Sequence, residues 1–251
     1  MVRIGLISLI LVSTLGFSET KTIKVGGYFF SPFVEIDKSG KTSGLTIDFI
    51  ETLNKSQKRF HFKFVQTTPV GRYKDFADGK FDVIFFESKT WGWQNKNIFS
   101  SKVFLKGGEV YIAKAAPGRD QTYFDSFSGK SLMGIEGYHY KVVNFVTDPK
   151  ILASKHNMKV TDDPWGLIRS VLKNEVDIAI VTKSYLMRTF LTNKMVKSKL
   201  LISIKLDQEY NHTILGRAGG PIGKQEIDQL LDRLQEKGVT KHLWWQYGIG
   251  Y

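Results

Sequence analysis

The chain contains one arrangement of apolar and polar positions twice. The two copies span residues 72–86 and 168–181. In each copy, a short helix and a turn precede an apolar run that is introduced by an aspartate, Asp82 in the first copy and Asp177 in the second. Short uninterrupted apolar runs are typical of parallel strands that are covered on both faces. The pattern therefore predicts two α/β units of the same design.

The segments that precede the two copies match as well. One predicted strand ends in Gly27-Tyr28, and another ends in Gly137-Tyr138. Strands that alternate with helices predict βαβ units and a largely parallel sheet. We therefore predict two α/β lobes, each a doubly wound layer.

The chain is predicted to cross between these lobes twice. Residues 109–114 and 210–215 are extended stretches, and each is followed by a break rich in Gly or Pro. These crossings predict a two-stranded hinge. We predict that the first lobe comprises residues 19–113 and 209–251, and the second lobe residues 114–208.

The last predicted helix supports the return to the first lobe. Residues 225–235 place Ile227 and three leucines on one helical face, and Gly238 suits the end of a helix. Because an apolar face needs cover, we expect this helix to pack on the first lobe.

Residues 1–18 have the features of a secretory signal. Arg3 provides a positive charge, residues 4–15 form an apolar run, and Gly16 and Ser18 are small residues at the positions that a signal peptidase reads. A membrane anchor is the alternative, but a membrane span needs about 20 apolar residues and this run is shorter. We predict cleavage after Ser18 and a periplasmic mature protein.

Composition argues against several classes of function. A formal net charge of +12 would attract nucleic acid, but the lysines and arginines are dispersed and are not interleaved with stacking aromatics. We predict no nucleic-acid partner. The chain has no cysteine, and its five histidines lack metal-type spacing. We expect neither a metal nor a cofactor.

Candidate ligand-binding residues follow from the predicted sheets, because ligands of open α/β sheets bind outside the carboxyl ends of the strands. If the lobes face each other, four such segments line one cleft. They supply Tyr28, Phe30, Glu87, Ser88, Lys89, Trp91, Tyr138, His139 and Thr182. Arg72, where a helix begins, is a further candidate, because an arginine can hold a carboxylate with two hydrogen bonds. The alternatives are that Arg72 faces solvent and that Phe30 and Trp91 are ordinary core residues.

The mature chain resembles the extracellular solute-binding proteins of family 3, the amino-acid-type receptors of ABC uptake systems. The matching segments are residues 25–33, 44–48, 79–82, 128–130 and 176–177, and a closing helix near Trp245 and Gly248. The resemblance implies a periplasmic binding protein fold of type II, with two lobes that close around a ligand. It also implies that Phe30 stacks on the ligand and that Lys89, Trp91 and Tyr138 line the cleft.

Three ligand-anchoring positions depart from this family, the least universal of them being an aspartate position that Gly27 occupies here. Gln94 stands where the family keeps an arginine for the ligand carboxylate, and Thr182 where it keeps an aspartate for the ammonium group. Each lost charge-assisted hydrogen bond would weaken a standard amino acid roughly 10-fold to 150-fold. Arg72 or Lys89 would then replace the arginine, and Glu87 the aspartate.

These observations predict a binding protein and not an enzyme. We expect it to capture a small polar or anionic molecule, amino-acid-like but not a standard α-amino acid, as a monomer that delivers to an ABC permease in the inner membrane. Two alternatives stay open. One is a ligand-sensing partner of a membrane signalling protein. The other is a dehydratase-like enzyme, with Glu87 as acid or base and Lys89 or His139 as its partner.

Overall fold

The computed structural model describes residues 19–249, so the predicted signal segment, residues 1–18, lies outside the described residues. The strands are β1 (Lys21–Gly27), β2 (Glu35–Ile36), β3 (Thr42–Ser43), β4 (Phe60–Gln66), β5 (Val83–Glu87), β6 (Ile98–Ser100), β7 (Leu105–Lys114), β8 (Leu132–Ile135), β9 (Met158–Thr161), β10 (Ile178–Thr182) and β11 (Leu200–Arg217). The α-helices are α1 (Leu45–Ser56), α2 (Arg72–Ala77), α3 (Pro149–His156), α4 (Pro164–Leu172), α5 (Lys183–Thr192), α6 (Lys194–Lys197), α7 (Lys224–Glu236) and α8 (Val239–Gln246). None of these helices has the length and apolar character needed to span a membrane.

Two parallel sheets are joined through a central antiparallel pair of strands. The strand order is β4-β1-β5-β11-β7-β10-β8-β9, with β6 also paired to β11. Strands β4, β1 and β5 run parallel in one lobe, and β10, β8 and β9 run parallel in the other. Strand β11 is long enough to pair with β7 through its first part and with β5 through its last part. The two α/β lobes and the two-stranded connection are therefore present as predicted.

The aspartate that introduces each repeated strand has the same structural task in both lobes. A side-chain oxygen of Asp82 accepts a hydrogen bond from the Lys24 amide at 2.8 Å. A side-chain oxygen of Asp177 accepts one from the Ser131 amide, also at 2.8 Å. Each carboxylate thus ties its own strand to the parallel neighbour, β1 in one lobe and β8 in the other. Since both aspartates are used in this way, the repeat reflects shared architecture.

The buried cores show where the chain passes between lobes. Leu105 belongs to the core of the first lobe, whereas Val110 and Ile112, on the same strand, belong to the core of the second. Core membership along β7 thus changes between Leu105 and Val110, before residue 113, and the lobe boundary at residue 113 stays a prediction. The reason is that β7 begins in the hinge and continues as a strand of the second sheet, where it pairs with β10. Strand propensity locates such a strand but not the sheet that it joins.

Helix α7 closes the first lobe as its pattern predicted. Ile227, Leu230, Leu231 and Leu234 are buried and belong to the first core. The Glu226 carboxylate accepts a hydrogen bond from the Gly223 amide at 2.8 Å and satisfies a backbone donor at the start of the helix. The described part of the chain thus returns to the lobe that contains β1.

Candidate ligand-binding site

The ends of the strands from the two lobes meet across a small cavity. The ring centroids of Tyr28, which follows β1, and Tyr138, which follows β8, are 6.4 Å apart. The Tyr138 hydroxyl also donates to the Phe29 carbonyl at 3.3 Å. The cavity offers a volume of about 10 Å³ to the centre of a water molecule, room for about one water. Its lining is Tyr28, Phe30, Arg72, Trp91, Glu109, Gly137, Tyr138 and His139.

Aromatic rings form the walls of this cavity. The ring of Phe30 stands nearly perpendicular to those of Trp91 and Tyr138, at 82° and 89°, with centroids 6.0 and 5.5 Å away. The ring of Tyr210 packs edge-on against Trp91 at 4.7 Å. Among the described residues, the buried indole Nε1 of Trp91 has no hydrogen-bond partner. The walls are thus a set of crossed aromatic rings that includes one unused N–H donor.

Arg72 and Glu87 form a buried ion pair on the first-lobe side. Both residues are almost completely buried, and Nε of Arg72 lies 3.5 Å from Oε1 of Glu87. Trp93 Nε1 donates to Oε1 of Glu87 at 3.0 Å, and the Tyr28 hydroxyl donates to Oε2 at 3.1 Å. Burial raises the pKa of Glu87, while the Arg72 charge and these hydrogen bonds oppose the shift. The carboxylate and the guanidinium therefore largely neutralise each other.

The rest of the Arg72 guanidinium is also held. Its Nη1 donates to the Pro69 carbonyl. The guanidinium carbon lies 4.9 Å from the ring centroid of Tyr28 and 4.3 Å from that of Tyr73, within the range of cation–π interactions. Arg72 is therefore built into the first lobe, and its side chain does not extend into solvent.

A bulge in β5 positions Glu87. Ile84 pairs with Leu215 and Glu87 pairs with Thr213, so β5 has one residue more than β11 between these pairs. The extra residue is accommodated at Phe86, whose φ is 56°. A bulge re-aims the side chains that follow it, and a left-handed conformation at a bulky residue costs about 1–2 kcal/mol. A sequence pattern does not reveal this bulge, because phenylalanine and not glycine occupies the position.

A second buried acid, Glu109, lines the cavity from β7. Its Cα is paired with that of Thr182 on β10 and with that of Gln208 on β11. The Gln208 amide donates to Oε2 of Glu109 at 2.8 Å and also to the His139 carbonyl. Burial and the nearby Asp207 carboxylate raise the pKa of Glu109 well above its ordinary value. Within residues 19–249, no basic side chain forms an ion pair with this carboxyl group, unlike that of Glu87.

His139 contributes a neutral imidazole. Burial, aided by the Arg72 charge, lowers the pKa of His139 to about 4. Its Nδ1 is buried and has no hydrogen-bond partner in the described part of the chain. At neutral pH the ring therefore adds a polar atom to the cavity but no charge.

The remaining predicted residues lie around this cavity or outside it. Ser88 is buried, with its hydroxyl 2.9 Å from that of Thr90. Lys89 and Gln94 are exposed and do not line the cavity, and the Gln94 amide donates to the Thr90 carbonyl. The backbone turns after Ser88, with the Trp91 amide bonded to the Ser88 carbonyl at 3.0 Å. This turn buries Trp91 and leaves Lys89 on the surface.

Thr182 lies in an adjoining cavity. This second space also offers about 10 Å³ to a water centre, and its lining includes Ser31, Tyr138 and Tyr185. Tyr138 lines both cavities, and Glu109 lines only the first of them. Six of the predicted residues thus line the same cavity: Tyr28, Phe30, Arg72, Trp91, Tyr138 and His139. Glu87 does not line it but forms an ion pair with Arg72.

Three residues of this arrangement were not selected from the sequence: Glu109, Gln208 and Trp93. The strand-end rule passes over Glu109 because it lies inside a strand, not after one. A signal was present, since a glutamate directly precedes the apolar residues 110–113 and follows two glycines. A charged residue at the start of a buried strand has to be paired, protonated or directed into a cavity.

Comparison with known proteins identifies the fold. No family model matches the sequence, and no curated protein matches it. Solved structures do match. An ABC uptake transporter substrate-binding protein from Streptococcus pneumoniae with bound histidine has a TM-score of 0.71 and 17% identity, over 90% of this chain and 92% of that one.

Two further solved structures have other descriptions. The GluR0 ligand-binding core from Nostoc punctiforme in complex with L-glutamate has a TM-score of 0.67 and 17% identity, over 90% of this chain and 98% of that one. An ancestral amino acid-binding protein, described as a precursor of cyclohexadienyl dehydratase, has a TM-score of 0.66 and 17% identity, over 90% of this chain and 94% of that one. These likenesses confirm the predicted type II periplasmic binding protein fold. They also agree with the resemblance to family 3 and with a divergent sequence.

Proposed function

We propose that this chain is an exported solute-binding protein of the amino-acid type, which captures a small polar molecule between its lobes for an ABC permease. The observation that carries the proposal is the cavity at the facing strand ends. Both lobes and the hinge furnish it, so a molecule held there would contact every part that moves during closure.

Contacts between the lobes support a closing mechanism. Arg188 on α5 of the second lobe lies 3.4 Å from the Glu35 carboxylate of the first lobe, at the rim. Near the cavity, Tyr138 bonds to the Phe29 carbonyl. Strands β7 and β11 form the two connections between lobes, and residues 105–109 and 207–210 are where bending would reorient the lobes. The cavity has room for about one water in the present arrangement of the lobes, so a ligand would enter between separated lobes and would hold them further apart than they are here.

The site chemistry supports capture more than catalysis. The enzyme alternative needs Glu87 as its acid or base. The Glu87 carboxylate already accepts hydrogen bonds from Trp93 and Tyr28 and forms an ion pair with Arg72. Lys89, one of its two proposed partners, is on the surface, and the other, His139, lines the cavity. A general acid or base needs access to a substrate proton, and Glu87 has little.

The anchoring positions of the family also bear on the ligand. Gln94 is exposed, and Thr182 lines the adjoining cavity and not the one between the facing strand ends. A standard α-amino acid in the family's usual pose would find neither of its charged partners at those positions. We therefore propose an amino-acid-like ligand that is not a standard α-amino acid.

A thermal-shift screen tests the function. The purified protein is mixed with amino acids, amines, organic acids and sugars, and each hit is measured by calorimetry. A specific ligand at a hundredfold excess over its Kd should stabilise the fold by about 2.7 kcal/mol. A screen without any hit at millimolar concentration would contradict the proposal.

The fate of the ligand separates binding from catalysis. A compound that is recovered unchanged after long incubation supports capture. A compound that is recovered with a changed mass, at a rate proportional to protein concentration, contradicts capture and supports the dehydratase-like alternative.

A further inference from the structure

The charges at the cavity do not balance. Arg72 and Glu87 form an ion pair, and His139 is neutral at neutral pH. Glu109 is buried, and in the described chain its carboxylate accepts a hydrogen bond from the uncharged Gln208 amide. Among the residues that line the cavity, Glu109 is therefore an acid without a counter-charge, in a protein whose formal net charge is +12.

We propose that Glu109 is the counter-ion for an ammonium group of the ligand, so that the site selects small organic cations. This inference rests on the proposed function, since it concerns the same cavity. It differs from the expectation of an anionic ligand, in which Arg72 or Lys89 was the anchor. Arg72 is already paired, and Lys89 does not line the cavity.

The position of Glu109 supports this role. In the register of the sheet, Glu109 lies directly opposite Thr182, the residue at the end of β10. Paired residues on neighbouring strands present their side chains on the same face of the sheet. The Glu109 carboxyl group therefore lies beside the end of β10, on the face of the sheet that Thr182 also presents.

The aromatic walls favour the same kind of ligand. The faces of aromatic rings carry partial negative charge and attract cations, and crossed rings around a carboxylate are suited to ammonium groups. Phe30, Trp91 and Tyr138 present such crossed rings. An anion would face these rings and the Glu109 carboxylate without an unpaired cation nearby.

Two polar atoms of the cavity without hydrogen-bond partners indicate a second feature of the ligand, an oxygen acceptor. Trp91 Nε1 is a donor without a partner among residues 19–249, and His139 Nδ1 is likewise unpartnered. Both residues line the cavity. A ligand that also carries an oxygen acceptor, such as a hydroxyl or carboxylate, would satisfy the indole N–H.

Matched compounds test the charge requirement. Choline and 3,3-dimethylbutan-1-ol have nearly the same shape, but only choline is charged. Ethanolamine and the zwitterion glycine betaine provide other sources of the ammonium group. We expect calorimetry to show that at least one ammonium compound binds at least tenfold more tightly than its neutral isostere and more tightly than acetate or succinate.

A substitution tests the residue. Glu109→Gln keeps the shape and the bond to Gln208 but removes the charge, and it should weaken the ammonium compound at least tenfold while leaving the neutral isostere unchanged. Glu209→Gln is the control, because it removes an acid from the adjoining hinge strand that is exposed and paired with Lys106. The control should bind as the unaltered protein does.

The outcomes separate this inference from the proposed function. Tight binding of anions or neutral compounds, or full ammonium binding by Glu109→Gln, would overturn the role of Glu109 and leave capture intact. Absence of binding for every compound class would overturn capture itself, and the role of Glu109 with it.

Discussion

Strands β5 and β10 occupy equivalent places in the two lobes, yet the acids beside them are used differently. Strand β5 ends in Glu87, which an arginine and two hydrogen-bond donors surround. Strand β10 ends in Thr182, and the acid of that lobe, Glu109, lies on the neighbouring strand beside a neutral amide. Burial penalises both carboxylates, but an adjacent cation offsets the penalty only for Glu87. The comparison suggests that the first acid maintains structure and the second is available to a ligand.

The largest expected effect comes from breaking the Glu87 pair. Arg72→Met leaves an unpaired carboxylate in the core of the first lobe and should lower the free energy of unfolding by about 3–5 kcal/mol. The double variant Arg72→Met with Glu87→Gln should lose less, because it removes the stranded charge. Denaturant unfolding of both variants measures the difference.

Lys74→Ala is the control for this comparison. Lys74 is on the same helix and pairs with Asp78 at the surface, so its loss should change stability far less than Arg72→Met does. A small effect of Arg72→Met would show that Glu87 does not depend on its partner, and the contrast with Glu109 would disappear.

The second prediction is that removing the Glu109 charge increases the free energy of unfolding, whereas breaking the Glu87 pair lowers it. Because burial holds the pKa of Glu109 above its unfolded value, the charged form disfavours the folded state at neutral pH. Glu109→Gln should therefore stabilise the ligand-free protein by about 0.5–2 kcal/mol, even though it removes ammonium binding. Thermal melting at neutral pH, with Glu209→Gln alongside, measures this gain. A destabilised Glu109→Gln would assign the carboxylate a structural role like that of Glu87.

The third prediction is a pH dependence with a defined sign. An ammonium ligand needs the ionised carboxylate, so affinity should rise with pH, by up to about tenfold per unit, until the raised pKa of Glu109 is passed. Stability of the ligand-free protein should fall as the pH rises from the unfolded pKa of a glutamate to the raised pKa of Glu109 in the folded state.

Other titratable or charged groups lie near Glu109. They are Arg72 from α2, Tyr111 from β7, Tyr138, His139 and Tyr140 from the loop after β8, and Asp207 and Tyr210 from β11.

Calorimetry across pH values measures the affinity, and buffers of different ionisation enthalpy report the proton released on binding. His139 should not contribute near neutrality, because its pKa of about 4 keeps it neutral there. Glu109→Gln should abolish the pH dependence. Its persistence in that variant would assign the titration to another group.

The smallest effects compare the turns of the two repeated units. Gly79 follows α2 with φ 73°, and Asn174 follows α4 with φ 58°. Apart from its two chain neighbours, no heavy atom of residues 19–249 lies within 4 Å of an added Cβ at Gly79, so Gly79→Ala should cost about 1 kcal/mol through backbone strain alone. Asn174→Gly should change stability by less than about 0.5 kcal/mol, since asparagine tolerates this conformation. Chemical unfolding measures both changes in stability. Equal losses in the two variants would contradict backbone strain as the reason for the expected difference.

The sequence by itself determined the architecture of this protein. The repeated unit, the Gly-Tyr strand ends and the stripe of Ile227 and three leucines all predicted elements that the structure contains. These features are readable because helix and strand periodicities are local and because an apolar face has to be buried. The strand-end rule also placed Tyr28, Trp91 and Tyr138 at the cavity, since in parallel sheets it depends on chain order alone.

Only the tertiary structure decided which charges meet. Arg72 pairs with Glu87, and is not available to a ligand, because the bulge at Phe86 directs the Glu87 side chain towards it. Glu109 lines the cavity because its register on β7 places it opposite Thr182. Lys89 and Trp91 are two residues apart, yet one turn of the backbone exposes the first and buries the second. Pairing energies of buried charges depend on distances of a few ångströms and on local burial, and neither is present in the order of residues.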